Sequence, residues 1–139
     1  MTSRPFLGGC ACGAIRYQAK GDPVAMIDCQ CRQCQRETGT GHTSNLLFIG
    51  AEVGIEGQPS FWNSTGDGGT SKRRAFCPIC GAPVYMTFPD MPDYFIIRAA
   101  SLDEPERYSP QMATWTDAAQ AWDRLDPALT AFSKMPPAG

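Results

Sequence analysis

No stretch of the 139-residue sequence approaches the roughly 18 consecutive apolar residues that a membrane-spanning helix requires. The first ten residues, Met1 to Cys10, also lack the apolar segment of a secretory signal. Positive charge is scarce: twelve Lys and Arg face fourteen Asp and Glu, a net charge of −2, which argues against electrostatic binding of nucleic acid. Fourteen Gly and twelve Pro make up roughly a fifth of the chain, where average usage would give about an eighth. Such a chain turns often, which favours a mainly β fold and excludes a helical bundle or coiled coil. No Ser-His-Asp set, phosphate-binding glycine loop or carboxylate pair stands out, and His42 is the single histidine. These absences leave a soluble protein with neither membrane nor nucleic acid as partner, expected in the cytoplasm. One domain over residues 1–139, with a loose tail at 135–139, accounts for the length.

Cysteine is the residue type that carries chemistry. There are seven, an odd number and fewer than the roughly 8–10% of a disulfide scaffold. Without an export signal the thiols should stay reduced. They fall in three groups with none outside: Cys10 and Cys12; Cys29, Cys31 and Cys34; Cys77 and Cys80. Such grouping reads as thiolate ligation of a soft metal. Residues i and i+2 of a strand share a side, which would aim the sulfurs of Cys10 and Cys12, and those of Cys29 and Cys31, at common points. In Cys77-Pro78-Ile79-Cys80-Gly81, Pro78 presets a turn and Gly81 can take the positive φ that closes it.

A structural zinc takes four ligands, which Cys10, Cys12, Cys77 and Cys80 supply. Cys29, Cys31 and Cys34 remain, and three protein ligands with an open fourth position are the usual set at a catalytic zinc. Two zinc ions per chain, one structural and one catalytic, are therefore expected. Two alternatives stay open: His42 as a fourth ligand closing the second site, and a redox switch built from the clustered thiols. Zinc held by three thiolates accepts another thiol well and favours its thiolate near neutral pH, where a free thiol of pKa about 8.5 is mostly protonated. A thiolate attacks an aldehyde carbon, and the reverse reaction cleaves the same C–S bond. The residue types lead as far as zinc-dependent thiol chemistry.

At these positions the chain resembles the glutathione-dependent formaldehyde-activating enzyme family, whose domain also occurs in centromere protein V. The resemblance rests on Gly8-Gly9-Cys10-Ala11-Cys12-Gly13-Ala14-Ile15-Arg16-Tyr17 and on Cys29-Gln30-Cys31-Arg32-Gln33-Cys34-Gln35-Arg36-Glu37-Thr38-Gly39. It continues in Arg74-Ala75-Phe76-Cys77-Pro78-Ile79-Cys80-Gly81-Ala82-Pro83-Val84 and in a late segment with Ser101-Leu102-Asp103, Trp115 and Trp122. It implies a β-tent of folded antiparallel sheets built around zinc, with Cys10, Cys12, Cys77 and Cys80 structural and Cys29, Cys31 and Cys34 catalytic. The implied activity is that of a carbon–sulfur lyase or its reverse, joining glutathione to formaldehyde as S-hydroxymethylglutathione. Where the family commonly has His between the first two catalytic cysteines, this chain has Gln30; strand alternation would point that side chain away from the metal. Thr40-Gly41-His42-Thr43 also departs from the family's usual run.

Patterning predicts strands over 14–19, 24–29, 45–49, 52–56, 83–88 and 94–100, and a hairpin with arms 60–63 and 71–76. Arg32 to Thr38 reads as a short helix ended by Gly39, its N-terminus favouring the Cys34 thiolate. Thr116 to Arg124 reads as a second, capped by Thr116 with Trp122 on its apolar side. For the carboxylates of a substrate such as glutathione, Arg32 and Arg36 beside the open site and Arg74 beside the zinc turn are candidates. The run Lys72-Arg73-Arg74 otherwise reads as an exposed hairpin arm. Thr38 and Gly39 could shape the pocket, unless the Thr38 hydroxyl bonds its own backbone. Trp62, Trp115 and Trp122 read as core or as contacts of a homodimer. The leading function is a zinc-dependent enzyme acting on a small thiol adduct. The alternatives are a zinc-stabilised binding module without chemistry and a thiol redox sensor.

Overall fold

The computed structural model describes residues 4–136. Segments rich in β-branched and aromatic residues, cut short by Gly and Pro, form eleven strands and one α-helix among the described residues. The strands are β1 (Phe6–Gly9), β2 (Arg16–Lys20), β3 (Ala25–Cys29), β4 (Thr43–Ile49), β5 (Glu52–Glu56) and β6 (Ser60–Thr65). They continue with β7 (Ser71–Phe76), β8 (Pro83–Thr87), β9 (Tyr94–Arg98), β10 (Met112–Thr114) and β11 (Thr130–Ala131). Helix α1 (Arg32–Thr38) lies between β3 and β4. The smaller sheet is antiparallel in the order β1-β2-β5. The larger runs β11-β10-β3-β4-β9-β8-β7-β6 and is antiparallel except that β10 lies parallel to both β3 and β11. The mainly β class expected from composition is the class observed.

Period-two alternation decides which side chains the sheets bury. Leu46 and Phe48 of β4, with Phe95 and Ile97 of β9, meet Phe6, Tyr17 and Ala19 of the smaller sheet in one buried cluster. Ile96 of β9 faces the other way, onto Met86 and Phe88, with Leu47 packed against them. Cys10 and Cys77 belong to the main cluster, which roots the four-cysteine group in the core. Arg16 of β2 makes a bidentate pair with Asp103, tying the smaller sheet to the segment after β9.

The helix expected over 116–124 does not form. Thr116–Ala118 is a single 3-10 turn, preceded by Trp115 in the left-handed region at φ +56°. Long-range pairing holds the segment in another conformation. The amides of Trp115, Thr116 and Asp117 donate to the carbonyls of Lys134, Phe132 and Ser133, which ties this turn to the chain end, the Thr116 hydroxyl donates to Phe132 instead of capping, and Ala119 leaves the helical region at φ −59°, ψ 141°. Trp122 consequently sits on a loop with 65% of its surface exposed, and Trp62 on strand β6 is 39% exposed; neither is core. Strand β1, with its two glycines, and the short β10 and β11 carry too little local signal to be anticipated. Of the tail expected at 135–139, Met135 is exposed and residues 137–139 lie outside the described residues. No helix among the described residues is long and apolar enough to cross a membrane.

Candidate metal centres

Cys10 and Cys12 do not lie on a strand, as strand alternation had required, but in the β1–β2 turn. The Cys10 amide donates to the Ile15 carbonyl at 3.1 Å and the Gly13 amide to the Cys10 carbonyl at 3.3 Å, and this curl brings the two sulfurs to 3.7 Å. The β7–β8 turn folds as its sequence predicts: Gly81 takes φ +78° and its amide donates to the Cys77 carbonyl at 2.8 Å. Cys12 Sγ lies 3.7 Å from Cys77 Sγ, and the sulfurs of Cys10, Cys12, Cys77 and Cys80 all fall within 4.8 Å of one another. Amide donors surround them. Ile15 donates to the Cys10 sulfur at 3.2 Å, and Ile79 and Cys80 donate to the Cys77 sulfur at 3.3 and 3.5 Å. Donors of this kind favour thiolate over thiol. The amides of Ala82 and Cys12 lower the Cys80 thiol to about 6. Four convergent thiolates of soft character fit a tetrahedral zinc.

The second group is local. β3 ends at Cys29, which is held between Thr43 of β4 and Thr114 of β10. Cys31 is the N-cap of α1, its sulfur accepting the Cys34 amide at 3.2 Å. Cys34 follows in the first turn, its sulfur 3.0 Å from that of Cys31. The three sulfurs lie within 4.8 Å of one another, and no fourth Cys, His, Asp or Glu joins them among the described residues. All seven cysteines are free thiols. Crowding makes the three share protons. The Cys31 thiol donates to the Cys34 sulfur, and hydrogen bonding with Cys31 and then Cys34 holds the Cys29 thiol well below the ordinary thiol range. That bond to Cys29 in turn pushes Cys31 and Cys34 up. At the helix start the Cys34 amide serves the Cys31 sulfur. Three converging soft donors also fit zinc.

His42 is not a ligand of this group. Its Nδ1 lies 3.0 Å from both carboxylate oxygens of Asp123. Asp123 also accepts from Gln30 Nε2 at 3.1 Å, so the buried Gln30 side chain is directed at Asp123, as its expected orientation away from the metal requires. Gly41 makes the approach feasible, since a Cβ there would collide with the Asp123 carboxyl group. The His42–Asp123–Gln30 contacts clamp the loop before β4 to the segment that replaced the expected second helix.

Beside α1 lies a cavity of about 340 Å³, lined among others by Gln33, Arg36, Glu37, Trp62, Arg74 and Arg98. Two of the predicted substrate residues, Arg36 and Arg74, face it. Arg74 is not part of an exposed arm: its side chain is 7% exposed, with Nε 2.9 Å from Glu37 Oε1 and the guanidinium over the Trp62 ring at 4.8 Å. Arg32 is elsewhere, donating to Gln35 Oε1 at 3.2 Å. The Thr38 hydroxyl donates to the Cys34 carbonyl at 3.1 Å, and Gly39 closes the helix in the left-handed conformation at φ +74°. Both complete the helix end and neither lines the cavity. Glu37, Arg98 and Asp123 went unremarked in the sequence. Arg98 carried the one available signal, a charge closing the apolar strand Tyr94-Phe95-Ile96-Ile97 that needs a buried partner.

A family model described as glutathione-dependent formaldehyde-activating enzyme matches residues 5–118. Among solved structures, the crystal structure of a Rhodobacter sphaeroides protein is similar at a TM-score of 0.54, covering 91% of this chain and 98% of its own. The two are 14% identical, so that likeness speaks to the fold alone. No protein of curated function matches the sequence.

Proposed function

The chain belongs to the glutathione-dependent formaldehyde-activating enzyme family, and from that membership we propose that it is a zinc-dependent carbon–sulfur lyase or synthase acting on a small thiol and an aldehyde. Glutathione and formaldehyde are the pair the family's name indicates. The observation that supports the reading is the group Cys29, Cys31 and Cys34, whose sulfurs converge with no fourth protein ligand among the described residues. Cys10, Cys12, Cys77 and Cys80 would hold a structural zinc, and the group of three a catalytic one. Bound there, zinc supplies a position at which a substrate thiol is held as its thiolate.

The reaction balances without an oxidant. The sulfur electron pair forms the C–S bond to the carbonyl carbon, the carbonyl π pair moves to oxygen, and the thiol proton ends on that oxygen. Thiol and formaldehyde thus become an S-hydroxymethyl thioether with every atom retained. The reverse breaks the same bond. The amide of Cys34 steadies the Cys31 sulfur, while Arg36 and Arg74 offer charge to substrate carboxylates. Arg32, Thr38 and Gly39 act more remotely, through the shape of α1. A reducing compartment such as the cytoplasm is where seven free thiols persist.

The test is exchange spectroscopy by NMR on the glutathione–formaldehyde equilibrium with zinc-loaded protein. Exchange faster than the spontaneous rate, returning to that rate in Cys31→Ser, is expected. Protein that binds zinc only at the four-cysteine group and leaves exchange untouched would refute the enzyme and leave a zinc-stabilised binding module.

A further inference from the structure

Helix α1 carries Cys34 into the second cysteine group, yet almost nothing hydrophobic anchors it. Its sequence, Arg32-Gln33-Cys34-Gln35-Arg36-Glu37-Thr38, holds no apolar side chain besides Cys34 itself. Seven residues are also too few for a helix to persist by its own hydrogen bonds. Polar contacts therefore decide where it lies. Gln35 ties it to its own approach and to the segment beyond β10, donating to the Gln30 and Ala118 carbonyls, each at 3.0 Å. Glu37 reaches across to the larger sheet. Its carboxylate has one aligned donor among the described residues, Arg98 Nη2 at 2.7 Å from Oε1. Arg74 Nε lies near the same oxygen without aligning, and Oε2 is buried without a partner.

The other arm of Arg98 leads back to the same cysteine group. Its Nη1 donates to Asn45 Oδ1, and Asn45 Nδ2 donates to Thr43 Oγ1 at 3.0 Å. Thr43 is the strand partner of Cys29. Arg98, Asn45 and Thr43 are all buried. The guanidinium thus closes a ring of contacts from Cys29 through Thr43, Asn45 and Arg98 to Glu37, and back along one helical turn to Cys34. Cys29 and Cys34 are the first and last members of the group. We propose that Arg98 is a positioning residue of the three-cysteine metal centre, its two-armed guanidinium holding α1 against β4 so that the Cys29 and Cys34 sulfurs already converge when a metal arrives. The inference rests on the reading of that group as a zinc site and is independent of the thiol chemistry assigned to it. Arginine suits the task because its planar fork bonds two acceptors in a fixed relation. Ligands held in advance bind more tightly, because less ordering remains to be done on binding.

Zinc retention separates the two cysteine groups within one molecule. Zinc-loaded protein is dialysed against rising concentrations of a chelator, the metal kept per chain is measured by elemental analysis, and circular dichroism checks the fold. Two ions are expected in the unaltered protein, with that of the three-cysteine group leaving first. Arg98→Met keeps much of the side-chain volume, removes both arms and leaves Glu37 beside Arg74. It should release the weaker ion at about tenfold or more lower chelator, the usual effect of losing a partner behind the ligands, and leave the other ion unaffected. Asn45→Ala spares the Glu37 pair and should shift release about two- to tenfold, the worth of one hydrogen bond. It carries the test should Arg98→Met fail to fold. The double variant should lose no more than Arg98→Met alone, because both changes break one chain of contacts. Losses that add, equal weakening of both ions, or unchanged release of the weaker ion would each refute the positioning role and leave the metal centre standing. Unaltered protein that takes up a single zinc would overturn the metal centre and the proposal with it.

Discussion

Replacing Cys77 by Ser should unfold much of the protein, whereas replacing Cys31 by Ser should spare it. Cys77 is fully buried in the main core, and its sulfur approaches that of Cys12, a residue 65 positions away. Zinc bound at the four-cysteine group would therefore staple the β7–β8 turn to the β1–β2 turn. Structural zinc binding is worth about 10–16 kcal/mol in small zinc domains, so one thiolate of four represents roughly 2.5–4 kcal/mol. Whole domains hold only about 5–15 kcal/mol. At this size 1 kcal/mol moves the midpoint by about 3–5 °C, so Cys77→Ser should melt about 8–20 °C lower or fail to accumulate in soluble form. Cys31 differs on both counts. Its group spans only Cys29 to Cys34 and closes no long loop, and Ser is itself a favoured N-cap that can take over the Cys34 amide. Cys31→Ser should melt within a few degrees of the unaltered protein and carry one zinc fewer by elemental analysis. A Cys77→Ser protein with unchanged midpoint and zinc content, or a Cys31→Ser protein that unfolds, would overturn the division of labour between the two groups.

Gly41→Ala should cost about 1–3 kcal/mol, because the new methyl displaces Asp123 and breaks its contacts with His42 and Gln30; an unchanged thermal midpoint would show the clamp to be dispensable. Arg16 holds the Asp103 carboxyl below the usual carboxylate range, so this pair stabilises the fold above the unfolded carboxylate pKa of about 4 and ceases to do so as pH falls through the lowered folded value. Both side chains are more than a third exposed, which limits the effect to less than about 1 kcal/mol. Melts of Asp103→Asn should thus show a small deficit at neutral pH that closes in strong acid, and a deficit independent of pH would refute the electrostatic account.

Local chemistry was legible where neighbours in sequence are neighbours in space. Helix α1 spans the predicted residues because Cys31 caps it, Gly39 ends it and nothing distant competes for its amides. Gly81 takes the predicted positive φ because the turn needs only Cys77 to Ala82. The seven cysteines could be sorted into two groups from spacing and ligand number alone. Thr116 to Arg124 failed for the opposite reason: its first residues are tied to the distant segment 132–134, and the chain leaves the helical region at Ala119. Cys10 and Cys12 converge as expected, but by a turn and not by strand alternation.

Ligand type, ligand number and the mainly β class were thus set by residue identity and by turns of a few residues, whose energetics depend on the backbone nearby. What surrounds the second cysteine group was settled only when strands far apart in the chain came together. His42 was held by Asp123 and kept out of the second cysteine group, and Glu37 was placed between Arg74 and Arg98, by contacts spanning 81, 37 and 61 positions. Charges buried at such junctions pair with whichever partner the folded sheet presents, and no local pattern encodes that choice.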